Sequence, residues 1–179
     1  MKRALILICI AFVAICSLSS CSEDKIDFND PDVDLFVKQL KMGSYKTKSP
    51  QGFVEVPKFK ESDIPELLKF ASDTSVIPNF PMPATASSAY ETKIRLGECM
   101  LWIVESIRLG HSASKGCHMV VANAENYEAV YFLSDKELKD AASRYRSWWD
   151  ERSKSHGKTM WTIEPCYDNP LCSSGYRWW

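Results

Sequence analysis

SAYETKIRLGECMLWIVESIRLG, residues 88–110, is the stretch that decides the fold. It opens with a capping box, in which Ser88 is at the N-cap position and Glu91 follows three residues later. Apolar residues then recur at helical spacing, and Gly110 is a residue type that ends helices. The apolar stripe consists of Leu96, Met100, Ile103 and Ile107, and it is widened by Leu101 and Val104. We therefore predict a long, central and largely buried helix that ends near Leu109.

Three further helices are predicted around this one, over residues 30–43, 62–73 and 134–153. Asp30-Pro31 suits the start of the first, because Asp caps helices and Pro fits the first helical position. The last begins with a second capping box, formed by Ser134 and Glu137. The pattern predicts a mainly α fold of about four helices in antiparallel pairs, similar to a helical repeat. The connections are expected to be long and irregular or short and extended.

Two segments between the third and fourth helices are rich in β-branched and aromatic residues, at 118–122 and 128–133. This composition is compatible with two short strands or with extended coil packed on helices. The chain ends in Trp178-Trp179, and we expect this aromatic tail to fold back onto a helix pair.

The first 21 residues have the layout of a secretory signal. Lys2 and Arg3 precede an apolar run over residues 4–16, which is too short to span a bilayer. The run leads to Leu18-Ser19-Ser20-Cys21, which resembles the lipobox of bacterial lipoproteins. That resemblance implies removal of residues 1–20 and a diacylglyceryl group on Cys21, which would make the membrane a partner. The alternative is an ordinary signal peptide that ends near a cysteine.

Residues 21–29 are predicted to be an acidic tether that precedes a single domain at 30–179. Glu23-Asp24 resembles the surface-export signal of lipoproteins from gut-type Bacteroidota, although a generic polar linker fits equally well. We therefore expect anchoring to the outer membrane, on its periplasmic or its surface-exposed side.

Four cysteines remain beyond the signal and the lipid-bearing Cys21, namely Cys99, Cys117, Cys166 and Cys172. An exported chain meets an oxidising compartment, in which disulfides persist. Cys166 and Cys172 flank the turn former Asp168-Asn169-Pro170, so a short bridge is plausible there, but four cysteines allow three pairings.

A zinc site could be assembled from Cys99, Cys117 and His118 together with His111 and His156. The spacing is unlike that of structural zinc sites, and it favours a disulfide or a buried thiol instead. We predict no metal site.

Glu98 and Glu105 lie seven residues apart, and therefore on one face of the central helix, with Trp102 between them. Paired carboxylates beside an aromatic ring are typical of glycosidases. Arg95 and Arg108 are each three residues from one of the two carboxylates, which favours a solvated or ion-paired strip.

The clustered tryptophans are the last candidate for a binding surface. At helical spacing Trp148 and Trp149 fit a core, whereas Trp161 and Trp178 are the best candidates for exposed binding residues.

No catalytic residue, cofactor or nucleic-acid partner is predicted. The net charge of −1 gives no sign of a basic nucleic-acid footprint, and the chain has no GxSxG, HExxH, Walker or dinucleotide motif.

Residues 96–108 and 145–149, with Asn169-Pro-Leu and Tyr176-Arg-Trp178, resemble uncharacterised small lipoproteins of gut-type Bacteroidota. The resemblance implies a helical exported domain without an assigned activity. We expect a non-enzymatic module that binds a protein or a glycan at the cell envelope. The alternatives are an immunity or inhibitor lipoprotein that acts against an envelope-targeting enzyme, and a hydrolase that uses Glu98 and Glu105.

Overall fold

The computed structural model describes residues 25–82, 93–121, 131–154 and 168–179. The helices in these ranges are α1 (Val33–Met42), α2 (Ile64–Phe70), α3 (Leu96–Leu109) and α4 (Asp135–Lys154). The strands are β1 (Val76–Ile77), β2 (Ile94–Arg95), β3 (Met119–Val121), β4 (Tyr131–Phe132) and β5 (Tyr176–Trp178). This part of the chain is α-rich with two small antiparallel sheets, which corrects the prediction of a mainly α fold.

Helix α3 is at the centre of the fold, as its apolar pattern predicts. Every residue from Leu96 to Glu105 is buried, and α3 packs against α1, α2 and α4. Gly110 ends the helix in the left-handed conformation, with φ 72°. The predicted start is wrong, because Ile94 and Arg95 pair with β1 as strand β2 and the helix begins only at Leu96. The capping box at residues 88–91 lies outside the described residues.

Helix α3 meets the end of α2 at Gly97. A Cβ atom on Gly97 would lie 2.3 Å from the carbonyl oxygen of Ala71 and 2.8 Å from that of Asp73. The N–H of Gly97 donates to the same Asp73 oxygen at 2.8 Å. The two segments therefore touch through their backbones, and this contact requires a residue without a side chain.

Helix α1 begins two residues later than its sequence suggested. The carboxylate of Asp32, rather than that of Asp30, caps it by accepting from the N–H of Leu35 at 2.7 Å. Gly43 ends the helix with φ 66°, as predicted. Ile26 is buried at 6% exposure, so packing against the core begins within the segment expected to be a tether.

Helix α4 begins with the predicted capping box. The N–H of Ser134 donates to Oε2 of Glu137 at 2.7 Å, and the N–H of Glu137 donates back to Oγ of Ser134 at 3.4 Å. The Arg146 guanidinium donates to the carbonyl oxygen of Leu68 at 3.1 Å and to Oγ of Ser72 at 3.0 Å. The same Leu68 carbonyl also accepts from the N–H of Ala71 at 3.3 Å, so Arg146 adds a second donor at the end of α2 and fastens α4 to it.

The strands form a two-stranded sheet, β1-β2, and a three-stranded sheet in the order β4-β3-β5. Residues 118–122 and 128–133 therefore do contain strands, β3 and β4, within the parts of them that are described. The tail does not simply pack on a helix pair, because β5 adds to β3 with Met119 opposite Trp178. Trp178 also reaches α4, where its Nε1–H donates to the hydroxyl of Tyr145 at 3.0 Å.

Candidate functional site

The two carboxylates singled out by sequence are both buried on α3. Glu98 is 1% exposed and Glu105 is 5% exposed. A buried carboxylate is costly unless it is paired and hydrogen-bonded. Their contacts therefore decide whether they hold the fold together or act on a substrate.

The carboxylate of Glu98 joins α3 to β2 and β3. Nε and Nη2 of Arg95 donate to its Oε2 at 3.3 and 3.0 Å, and the N–H of Met119 donates to its Oε1 at 2.5 Å. Nδ1 of His118 lies 3.8 Å from Oε2. Arg95 also contacts Asp135 at the start of α4, at 3.3 Å. Both oxygens of this buried carboxylate are thus occupied by groups from neighbouring elements.

The carboxylate of Glu105 joins α3 to α4 and the tail. Arg108 donates to both of its oxygens, at 2.9 Å from Nε and 2.7 Å from Nη2. The Tyr145 hydroxyl donates to Oε2 at 2.9 Å and in turn accepts from Trp178. Arg108 also donates to the carbonyl oxygen of Asp168 at 2.6 Å. The result is one continuous network from the tail through α4 to α3.

The electrostatics of this second network follow from its burial and its charge pairing. Burial raises the pKa of Tyr145 well above its usual value, and the neighbouring Glu105 charge raises it further. The hydrogen bond from Arg108 to Glu105 raises the pKa of the guanidinium. The hydroxyl of Tyr145 therefore stays protonated and remains a donor to Glu105.

These contacts favour a structural role for the two carboxylates over a catalytic one. The ion pairs predicted from spacing are present, as Arg95 with Glu98 and Arg108 with Glu105. Of the two predicted alternatives, a solvated or an ion-paired strip, the ion-paired one is present, and both carboxylates lie in the core. A general acid or base must come within hydrogen-bond reach of its substrate, and neither carboxylate has the exposed surface for that contact.

Cys99 and Cys117 are brought together by α3 and the segment before β3. Both are free thiols, both are buried, and their sulfur atoms lie 3.5 Å apart. His118 is also buried, and its Nε2 has no hydrogen-bond partner among the described residues. His111 is exposed and contacts the carbonyl oxygen of its neighbour Ser112.

No group of three potential ligands capable of holding a metal ion occurs among the described residues. His156 lies outside them, as do Cys166 and the predicted lipidation residue Cys21, so the Cys166–Cys172 bridge stays a prediction.

Of the five described tryptophans two are buried, two are partly buried, and Trp179 is 50% exposed. Trp102 is 5% exposed and packs edge-on against Phe80, with ring centroids 5.9 Å apart. Trp148 is the buried member of its pair, whereas Trp149, expected on the inward face, is only partly buried. Trp178, expected to be exposed, is partly buried and tied to Tyr145. Trp161 lies outside the described residues.

Sequence reasoning missed two exposed apolar side chains that are adjacent in the chain. Phe53 is 66% exposed and Val54 is 42% exposed, at the end of a turn closed by pairing of Lys48 with Val54. A Pro-Gln-Gly sequence at residues 50–52 signals that turn, but nothing local shows that the following Phe lacks a partner. These two residues form an apolar tip on the surface, which we call the 53–54 tip.

The fold and its two buried ion-paired networks define a small α-rich domain stabilised by internal carboxylate contacts. The chain belongs to the family described as Domain of unknown function (DUF4943), whose model matches residues 27–179. No curated protein and no solved structure matches the chain. Among the described residues, no helix is both long enough and apolar enough to cross a membrane.

Proposed function

We propose that this protein is an exported lipoprotein whose domain binds a protein or glycan at the cell envelope without catalysing a reaction. The order of the N-terminal segments is the observation that supports export and anchoring. A positive start and an apolar run over residues 4–16 lead to Leu18-Ser19-Ser20-Cys21. In this order they resemble a lipoprotein signal, and the acyl chains on Cys21 would supply the membrane affinity.

The contacts of the buried carboxylates support a binding role over a hydrolytic one. Each of Glu98 and Glu105 is paired with an Arg and holds neighbouring elements together. The exposed 53–54 tip offers an apolar contact of the kind that anchors protein partners or stacks on sugar rings. An apolar contact at the 53–54 tip would bind a partner without any catalytic group.

Anchoring is tested by Cys21→Ala in the full-length chain, with Cys16→Ala as the matched control. Cys16 lies in the segment that would be removed, so its replacement should leave the product unchanged. We expect an alkyne-tagged fatty acid to label the parent and Cys16→Ala and to leave Cys21→Ala unlabelled. Equal labelling of Cys21→Ala and the parent would overturn the lipoprotein assignment.

Binding is tested by thermal shift of the domain against a glycan and peptide library, since a ligand of the folded state raises the melting temperature. Phe53→Ser should abolish the shift without lowering the melting temperature of the free protein, because Phe53 is 66% exposed. Met42→Ser is the control, since Met42 is 67% exposed elsewhere on the surface. A flat response of the parent across the library would count against a binding module.

A further inference from the structure

We propose that Cys99 and Cys117 form a disulfide when the chain folds in an oxidising compartment, and that this bond fastens β3 to α3. The inference concerns a covalent modification that the binding role does not include, although its formation in cells rests on the proposed export. It begins from two free thiols whose sulfur atoms are 3.5 Å apart.

The geometry requires only a small movement. A disulfide bond is about 2.05 Å long, so the two sulfur atoms have to approach by roughly 1.5 Å. A hydrogen bond beside the pair already holds together the two segments that carry the cysteines. Oε1 of Glu98, next to Cys99, accepts from the N–H of Met119, two residues beyond Cys117. The backbones therefore stay in position while two side chains turn toward each other.

The folded protein protects this pair from late oxidation. Cys99 is 0% exposed and Cys117 is 1% exposed, so an oxidant has no path to either sulfur. Burial raises the pKa of Cys117 well above that of a free thiol, and its hydrogen bond to Cys99 and the charge of Glu98 raise it further. Since the thiolate is the reacting form, the bond has to form before the core closes.

The reaction is a dithiol–disulfide exchange. The thiolate of one cysteine attacks the disulfide of an oxidant, such as a thiol oxidase or oxidised glutathione, and a mixed disulfide forms. The second cysteine then attacks that mixed disulfide and releases the oxidant as a thiol. In sum, two S–H bonds are lost, one S–S bond forms, and two electrons and two protons pass to the oxidant.

Trypsin cleavage gives a direct test, because the cysteines fall in separate peptides. Cys99 lies in the peptide 96–108, Cys117 in 116–136, and Cys166 and Cys172 together in 159–177. The exported full-length protein is denatured, its free thiols are blocked with N-ethylmaleimide, and it is digested without reductant. We expect peptide 96–108 joined to 116–136. Recovery of 96–108 joined to 159–177 would overturn the pairing, and so would recovery of both as blocked single peptides if they also stay unlinked after refolding with oxidised glutathione.

Cys117→Ser is the control, and it should release peptide 96–108 as a blocked single peptide. A second arm refolds the reduced, denatured chain with oxidised glutathione and maps it in the same way. Linkage after refolding together with free thiols in cells would support the pairing and count against the export. Absence of linkage after refolding would overturn the pairing itself.

The proposed disulfide should also raise the melting temperature of the protein. In a Cys166→Ser, Cys172→Ser variant the only remaining bridge is the proposed one, so reduction acts on it alone. Closing a loop of about 20 residues predicts that reduction lowers the melting temperature by roughly 6–12 °C. The reduced, folded variant should react with a thiol reagent far more slowly than the unfolded chain. Identical melting temperatures before and after reduction would contradict the proposal.

Discussion

Gly97→Ala tests the backbone contact on which the centre of the fold depends. The added Cβ would lie 2.3 Å from the carbonyl oxygen of Ala71 and 2.8 Å from its carbonyl carbon. These are backbone atoms, so no rotamer change relieves the overlap, and α2 has to move away from α3. Such overpacking costs about 1–3 kcal/mol. The intrinsic preference of helices for Ala over Gly offsets about 0.5–1 kcal/mol of this.

We therefore expect Gly97→Ala to lower the free energy of unfolding by about 1–2 kcal/mol, which corresponds to a drop of roughly 2–8 °C in melting temperature. Urea unfolding followed by tryptophan fluorescence and by circular dichroism measures the change. The slope against urea should stay constant, since the unfolded surface is unaltered.

Gly116→Ala is the matched control for the same chemical change. A Cβ atom at Gly116 would meet its nearest neighbour, the carbonyl oxygen of Trp179, at 3.7 Å, which is an ordinary contact. That variant should equal the parent or be slightly more stable, because Ala restricts the unfolded chain. If Gly97→Ala is as stable as Gly116→Ala, the close approach of α2 to α3 is not a feature of this protein.

Three more predictions concern pH and hydrogen bonding. Burial alone would raise the pKa of Asp73, but hydrogen bonds from Lys41 and Ser75 lower it to about 2. Asp73→Asn should therefore cost about 1–2 kcal/mol at neutral pH, and urea unfolding should show this cost disappear between pH 4 and pH 2, as the native carboxylate takes up its proton. Tyr145→Phe leaves the Nε1–H of Trp178 without its partner and should cost about 1–3 kcal/mol in the same assay, so an unchanged midpoint would contradict the network. Ser134→Ala should cost about 1 kcal/mol through loss of the α4 cap, and Ser134→Thr, which keeps the hydroxyl that donates to Glu137, should restore it.

The networks around Glu98 and Glu105 explain how a small domain can hold charged side chains in its core. Two Arg–Glu pairs have their Glu residues on α3. The pair of Glu98 contacts β3, and the pair of Glu105 contacts α4. Breaking a buried pair by removing one partner is strongly destabilising, because the remaining charge is left uncompensated. Substitution of either Glu would therefore disturb the fold before it could report on activity. Glutamine variants that retain any measured activity would argue against a hydrolase that uses Glu98 and Glu105, whereas loss of activity requires a folding control.

The amino-acid sequence by itself determined the local features of this protein. Gly43 and Gly110 end their helices, and Ser134 with Glu137 begins another, because caps depend on residues within one turn. The Arg108–Glu105 pair follows from helical spacing for the same reason, whereas Arg95 reaches Glu98 from β2, three residues earlier in the chain. Even here the start of α3 was misplaced, since pairing of β2 with β1 competes with helix formation.

The tertiary structure alone decided which of these residues are buried and what they meet. Spacing places Glu98 and Glu105 on one face of a helix, but only the packing of β3, α4 and the tail buries both. Cys99 and Cys117 meet, and β5 completes the second sheet, because segments distant in the chain come together. Such contacts depend on the sum of many weak packing terms, and no local pattern records them.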